Sequence, residues 1–309
     1  MKKVAFIFPG QGSQTIGMGK DFFENSDIAK DMISKASARL GIDFEKLLFE
    51  ENENIGKTEF TQPAILLVSS IANAVFKEKC NIKPEFVLGH SLGEFSALVA
   101  AGALDYLDAI ELVHKRGLFM TEACAGGGAG MMALVGIDDA TVEKVCTEQR
   151  ELGKRVWPAN YNMDGQLVLA GIKADLESLV DVFKAAGAKR AIVLDMSVAS
   201  HCELLQSAVE NLKPFLEEFL KDEFMPVISN VSTNAYTTKN EAVELLSSQL
   251  TSPVKYKQSI KACEDKVDLF IEFGNGIVLK GLNKKITDKA TLNVSDMKTL
   301  EAVIGELND

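Results

Sequence analysis

Short apolar runs and longer amphipathic stretches alternate along this chain. Lys3–Phe8, Phe86–Leu88 and Leu269–Phe273 are brief, apolar and bounded by turn-forming residues, which predicts buried strands. Between them, apolar positions recur every three or four residues, which predicts helices up to about Leu48, over Ala64–Phe76 and from about Tyr106 to Ala123. Thr61-Gln62-Pro63 opens the second of these, with Pro63 at the first helical position, where its missing N–H costs nothing. The Gly10–Gly19 loop and the acidic Glu50–Asn54 connect the early elements.

The period changes after Gly126–Gly130, a glycine-rich connection. Met131–Ile137 reads as strand, Asp139–Arg150 as helix, Arg155–Tyr161 and Gln166–Gly171 as strands joined through Asp164-Gly165, Ala174–Ala186 as helix and Arg190–Leu194 as strand. That β-α-β-β-α-β order is ferredoxin-like. It predicts an inserted subdomain over residues 128–195, with residues 1–127 and 196–309 forming one discontinuous catalytic domain. After the insert, the pattern predicts a helix from His201, a strand over Pro226–Ser232 and helices at about Asn240–Leu250 and Val254–Glu264. The Leu269–Phe273 strand, a short helix Ile277–Lys284, a strand Thr291–Val294 and a last helix follow. The class is therefore α/β, with a mainly parallel sheet covered by helices on both faces.

Gly89-His90-Ser91-Leu92-Gly93 falls between the Phe86–Leu88 strand and an Ala-rich apolar stretch, Glu94–Ala101. Strand, tight turn and helix make a nucleophile elbow, in which glycines permit close packing and the serine hydroxyl stands exposed. The helix start presents free N–H groups to an oxyanion formed nearby. A serine nucleophile needs a base, and the chain has three histidines. His90 adjoins Ser91, so its side chain diverges from the hydroxyl. His114 sits mid-helix beside Lys115 and Arg116 and reads as a surface or half-buried helix residue. His201 lies in Ser200-His201-Cys202-Glu203, which reads as a capping box opening an amphipathic helix. The helix dipole would lower its pKa and keep it able to accept a proton. No acidic third member stands out, which leaves a backbone carbonyl or an amide side chain to orient the ring.

Arg116 projects from a helical stripe of Leu112, Val113, Phe119 and Met120. A guanidinium there is served by an internal carboxylate, by water reached along its stem, or by a substrate carboxylate held bidentately. Gly10-Gln11-Gly12-Ser13-Gln14 lacks the third glycine of a dinucleotide loop and any G-K-[ST], so it reads as a tight turn. If the first strand neighbours the elbow strand, that turn brings Gln11 close to Ser91.

Of the 309 residues, 33 are Lys or Arg and 44 are Asp or Glu, a net charge of −11, which argues against general binding of nucleic acid or an anionic membrane. Five widely spaced cysteines show neither a zinc pattern nor a disulfide framework, so reduced thiols in a cytoplasmic protein are expected. The apolar start is stopped by Pro9-Gly10, and no stretch reads as a membrane span of about 20 apolar residues. No coiled coil is visible, and a monomer is expected.

Taken together, these residues resemble the malonyl-CoA:acyl carrier protein transacylases of bacterial type II fatty acid synthesis. The resemblance runs nearly end to end, through Phe8–Gln14, Thr61–Ala64, Gly89–Glu94, Arg116-Gly117, Asn160-Tyr161-Asn162 with Gly165-Gln166, Ser197–Cys202, Gln249-Leu250 with Pro253-Val254, and Gly281-Leu282. It implies an α/β-hydrolase-like core with a ferredoxin-like insert. It also implies Ser91 as nucleophile, His201 as base and then acid, an oxyanion hole from the N–H groups of Gln11 and Leu92, Arg116 on the malonyl carboxylate, and the main chain at Gln249 orienting His201. The implied reaction is ping-pong from malonyl-CoA to the phosphopantetheine thiol of acyl carrier protein, with neither metal nor redox cofactor. The family often has Pro where this chain has Asn275, so the Gly274–Gly276 turn is expected to be slightly looser. Val198-Ala199-Ser200 matches the stand-alone type rather than either polyketide signature. The carrier is acidic and so is this chain, so docking calls for a local basic patch, with Lys189-Arg190 and Lys284-Lys285 as candidates. The rival readings are a serine esterase or thioesterase, which would not need Arg116, an acyltransferase loading polyketide carriers, and a catalytically silent carrier-binding protein.

Overall fold

Two sheets organise the chain in a computed structural model whose described residues are 2–196 and 198–308. The elements begin β1 (Val4–Phe8), α1 (Lys20–Asn25), α2 (Asp27–Leu40), α3 (Phe44–Phe49), α4 (Thr58–Lys79), β2 (Phe86–Gly89), α5 (Gly93–Ala101) and α6 (Tyr106–Ala123). Next come β3 (Ala129–Val135), α7 (Asp139–Glu151), β4 (Val156–Met163), β5 (Gln166–Ile172), α8 (Lys173–Ala185) and β6 (Arg190–Val193). The chain finishes with α9 (Gln206–Phe219), β7 (Glu223–Ile228), β8 (Ala235–Thr238), α10 (Lys239–Gln249), α11 (Tyr256–Cys263), β9 (Leu269–Phe273), α12 (Val278–Ile286), β10 (Ala290–Val294) and α13 (Met297–Asn308).

The larger sheet has the order β10-β9-β1-β2-β7-β8 and is parallel except at its β7–β8 edge. Residues of β1 alternate between two cores: Val4, Phe6 and Phe8 enter one and Ala5 and Ile7 the other. Both faces of the sheet are thus covered, as a parallel sheet requires. The smaller sheet, β4-β5-β3-β6, is antiparallel throughout and carries its own apolar core against α7 and α8. Its β4–β5 hairpin turns at Asp164-Gly165, as the sequence predicts, with Gly165 in the left-handed region at φ 72°. Backbone hydrogen bonds Tyr161 N–H to Val254 O and Val254 N–H to Ala159 O, both 2.8 Å, tie this sheet's edge to the segment between α10 and α11.

Several expectations need correction. The long helix starts at Thr58, so Pro63 lies inside α4 rather than at its first position. A proline there cannot donate to the Glu59 carbonyl four residues back and its ring crowds that oxygen. His114, half-buried on α6 as one of the two expectations had it, supplies the missing donor, with Nδ1 2.7 Å from Glu59 O, and so ties the two helices together. The two helices are close enough there that a Cβ on Gly117 would lie 2.5 Å from Glu59 Cα. By length and composition α4 also passes as a membrane span, contrary to the expectation, but most of it is buried within the protein.

The strand β8 carries no periodic signal in four residues and was not anticipated; it pairs Tyr236 with Val227 on β7. The helix expected from His201 begins only at Gln206, after a short 3-10 turn. Asn275, where the family often has Pro, has a side-chain role that the sequence does not show. Its Nδ2 donates to Ser13 O (2.6 Å) and Thr15 Oγ1 (2.9 Å), pinning the Gly10–Gly19 loop to the end of β9.

The Pro63–His114 relation yields a double-mutant prediction. His114→Ala leaves Glu59 O without a donor and is expected to cost about 1 kcal/mol in urea unfolding. In a Pro63→Ala background the restored helical N–H takes that oxygen, and the same change should cost clearly less. Equal costs in both backgrounds would contradict the account.

Candidate active site

Strands β1 and β2 run side by side in the register Ile7–Leu88 and Phe8–Gly89. That pairing places the loop after β1 beside the elbow after β2, as anticipated. The elbow is tight because its glycines admit no side chain: a Cβ on Gly89 would meet Gly93 C at 2.0 Å, and one on Gly93 would meet Phe8 O at 2.0 Å. Ser91 sits at the apex with φ 53°, and His201 has φ 61°. Both are left-handed for non-glycine residues, a strain of about 1–3 kcal/mol each that surrounding contacts must hold.

Those contacts bring the predicted groups together. Ser91 Oγ lies 2.7 Å from His201 Nε2, and His201 Nδ1 lies 2.7 Å from the Gln249 main-chain oxygen. A carbonyl can only accept, so Nδ1 carries the proton and Nε2 presents its lone pair to the serine. His201 is buried, and burial foremost, then the Arg116 charge, lowers its pKa to about 3. No capping box forms at Ser200–Glu203, and desolvation rather than a helix dipole keeps the ring neutral. Ser197, in the motif leading to it, lies outside the described residues. His90 points away, its Nε2 2.8 Å from Asn162 Oδ1.

The N–H groups of Gln11 and Leu92 have no partner among the described residues, and both residues line the same cavity as Ser91 and His201. The cavity encloses about 490 Å³, and Met120, Met131 and Val168 supply apolar wall.

Arg116 is 2% exposed and also lines the cavity. Its Nη1 donates to Gln62 Oε1 (2.7 Å) and its Nη2 to Gln249 Oε1 (3.1 Å), with Ser91 Oγ 3.5 Å away. No carboxylate comes within 4.0 Å of it among the described residues, and its Nε has no partner. Of the three alternatives open at the sequence level, the internal ion pair and the route to water are therefore not realised. Burial lowers its pKa to about 10, which leaves it charged at neutral pH.

Three residues were missed by sequence reasoning: Glu94, Asn230 and Tyr236. Asn230 Oδ1 accepts the Ser91 N–H (2.7 Å) and its Nδ2 donates to Gly89 O (2.7 Å), bracing both sides of the elbow. Glu94 Oε2 accepts from Asn230 N–H (3.1 Å) and Gln249 Nε2 (2.7 Å), and its Oε1 from Tyr236 O–H (2.9 Å). Glu94 is the one charged residue in the otherwise apolar α5, a signal of the same kind that singled out Arg116.

The chain matches the acyl transferase domain over residues 5–308. It belongs to the acyl transferase family. It is 44% identical to a malonyl CoA-acyl carrier protein transacylase of Bacillus subtilis, covering 100% of this chain and 98% of that one. Among solved structures, the malonyl-CoA:acyl carrier protein transacylase of Helicobacter pylori superposes with a TM-score of 0.96 at 46% identity, over 100% of this chain and 99% of that one. A malonyl-transacylase in complex with its type II PKS acyl-carrier protein superposes at 0.95 with 37% identity, over 98% and 99%.

Within this acyl transferase, the four candidate docking residues stand apart from the cavity. Lys189 and Arg190 are exposed at the start of β6, whereas the cavity takes Leu194, Asp195 and Met196 beyond its end. Lys284 and Lys285 line a separate groove shared with Glu264, Asp265 and Asp288.

The state of His201 can be read directly. Its ring 13Cε1 signal, assigned by its loss in His201→Ala, should stay unshifted from pH 8 to pH 5. A transition near 6.5 would contradict a buried neutral ring. The linked stability follows with a definite sign: the folded pKa is depressed, so the contribution is full above about 6.5 and is lost as pH falls toward 3.

Proposed function

We infer that this acyl transferase moves the malonyl group from malonyl-CoA to the phosphopantetheine thiol of acyl carrier protein, supplying extender units for fatty acid synthesis. The observation that carries the reading is Arg116: a buried guanidinium with a free donor and no carboxylate in direct contact, beside a serine–histidine pair. A charge so placed calls for an anion from the substrate. The curated relatives bearing the transacylase name support it, as does the relative solved with its carrier protein.

In this reading Ser91 Oγ attacks the thioester carbonyl while His201 Nε2 takes the hydroxyl proton. The oxyanion is received by the N–H groups of Gln11 and Leu92. Collapse expels the CoA thiolate, which takes the proton back from His201 and leaves as thiol. The malonyl ester stays on Ser91 with its carboxylate on Arg116. His201 then deprotonates the carrier thiol, which attacks the ester, and the proton returns to Ser91. Every group used belongs to the chain or to its two substrates, so the reaction calls on no metal or redox cofactor. The Gln249 carbonyl stabilises the imidazolium formed in each step, the part an acidic residue plays in a triad. Apolar cavity wall discourages water from reaching the ester.

We further read residues 1–127 and 196–309 as one α/β-hydrolase-like catalytic unit with residues 128–195 inserted as a ferredoxin-like subdomain. The antiparallel order β4-β5-β3-β6, second, third, first and fourth of the insert's own strands, supports that label. The carrier would dock through Lys189-Arg190 or Lys284-Lys285, all four exposed. A cytoplasmic monomer is the matching setting, and five unpaired cysteines fit a reducing compartment.

Intact mass after brief incubation with malonyl-CoA tests the reading. The wild type should gain one malonyl group, Ser91→Ala none, and added carrier protein should discharge the adduct onto its thiol. Free malonate accumulating without carrier loading would mark a hydrolase instead, and no adduct with no turnover would mark a silent binding protein.

A further inference from the structure

Glu94 is a buried titratable group that the two-step reaction leaves without a task. The other fully buried acid among the described residues, Glu272, is accounted for locally: its oxygens accept the N–H groups of Leu279 (2.9 Å) and Lys280 (2.8 Å) at the start of α12. Glu94 has no such local role. It reaches across to Gln249, whose Nε2 it receives at 2.7 Å, and the other end of that amide receives Arg116 Nη2 at 3.1 Å. One amide thus stands between a carboxylate and a guanidinium, turned with its oxygen to the cation and its nitrogen to the anion.

We propose that Glu94 is the resident counter-charge of Arg116, coupled to it through the Gln249 amide, and that it acts as a positioning residue setting how strongly the site favours malonyl over an uncharged acyl group. The inference rests on the reading of Arg116 as partner of the malonyl carboxylate. In the empty site Glu94 offsets the desolvated guanidinium and keeps Gln249 in one orientation, which also holds the carbonyl behind His201. When a malonyl group enters, the cation faces two anions, and the resident one opposes the newcomer. Unit charges several ångströms apart at an effective dielectric near 20 interact strongly enough for about a tenfold effect on binding. Burial, only partly offset by donors from Gln249, Asn230 and Tyr236 and by the Arg116 charge, raises the Glu94 carboxyl to about 7, so most of it is ionised at pH 8.

Glu94→Gln isolates the charge. Its amide oxygen can accept from Gln249 and Asn230 while its NH2 donates to the Tyr236 oxygen, so each contact is kept, the one to Tyr236 with its direction reversed. Acyl-Ser91 formation is measured at pH 8 with malonyl-CoA and acetyl-CoA, resolving KM from rate. In Glu94→Gln the malonyl KM should fall about tenfold, with the acetyl KM within about twofold of wild type. Glu94→Asp, which keeps the charge, should keep the wild-type malonyl-to-acetyl ratio even where rates drop. Tyr236→Phe removes one donor to the carboxylate and should shift the ratio in the same direction as Glu94→Gln by a smaller factor, and it serves if the Gln variant does not fold. Equal changes for both donors, or an unchanged ratio in Glu94→Gln and Tyr236→Phe, would overturn the proposal. A wild type that forms no malonyl-serine is a separate outcome and removes the malonyl reading beneath it.

Discussion

A buried guanidinium with no carboxylate beside it is the constraint on which the rest of this site depends. Taking Arg116 out of water costs several kcal/mol unless its donors are met. Here two glutamine side chains each take one terminal nitrogen, Gln62 from α4 and Gln249 from the end of α10, and Nε is left free. Each amide passes the polarity outward: Gln62 Nε2 donates to Thr58 Oγ1 (2.8 Å), and Gln249 Nε2 donates to Glu94. The same cation helps keep His201 neutral, so the buried charge also tunes the base. Neutral amides, unlike a carboxylate, leave the cation's charge uncancelled at contact and available to an incoming anion.

The scaffold puts these groups in reach by backbone contacts that tolerate no side chains. Gly93 against Phe8 O fixes the elbow to the β1 loop, and Gly117 against Glu59 fixes α6 to α4, which sets Gln62 against Arg116. The serine and histidine are both held in left-handed backbone, and the bonds that hold them come from distant chain: Asn230 to Ser91 and Gln249 to His201. Asn275 extends the same logic to the Gln11 loop, clamping it by side-chain hydrogen bonds.

What was legible in the sequence was what is local in it. The elbow is a strand, a turn and a helix within some fifteen residues, and Arg116 stands out against its own helical stripe. The hairpin at Asp164-Gly165 and most elements of both sheets follow from period and turn chemistry. His201 is legible by elimination among three histidines, but the cause of its low pKa is not, because burial is a tertiary property and the Ser200–Glu203 pattern does not start an α-helix. The capping box that forms lies elsewhere, at Thr238 and Glu241. The roles of Gln11, Leu92 and Gln249 came from family resemblance alone. Asn230 and Tyr236 meet the elbow from more than 130 positions away along the chain, the first just past β7 and the second on β8, and no local pattern shows such a contact. Glu94 could have been singled out, since one acid in an apolar helix raises the question that one arginine did.

The central claim is that Arg116 selects the acyl group by its charge. The most direct measurement is the ratio of malonyl to acetyl loading on Ser91 in wild type and Arg116→Ala. The account predicts a strong malonyl preference in the wild type and a drop of about a hundredfold in that ratio in the variant, the scale of a lost buried ion pair. A malonyl preference that survives removal of the guanidinium would contradict it.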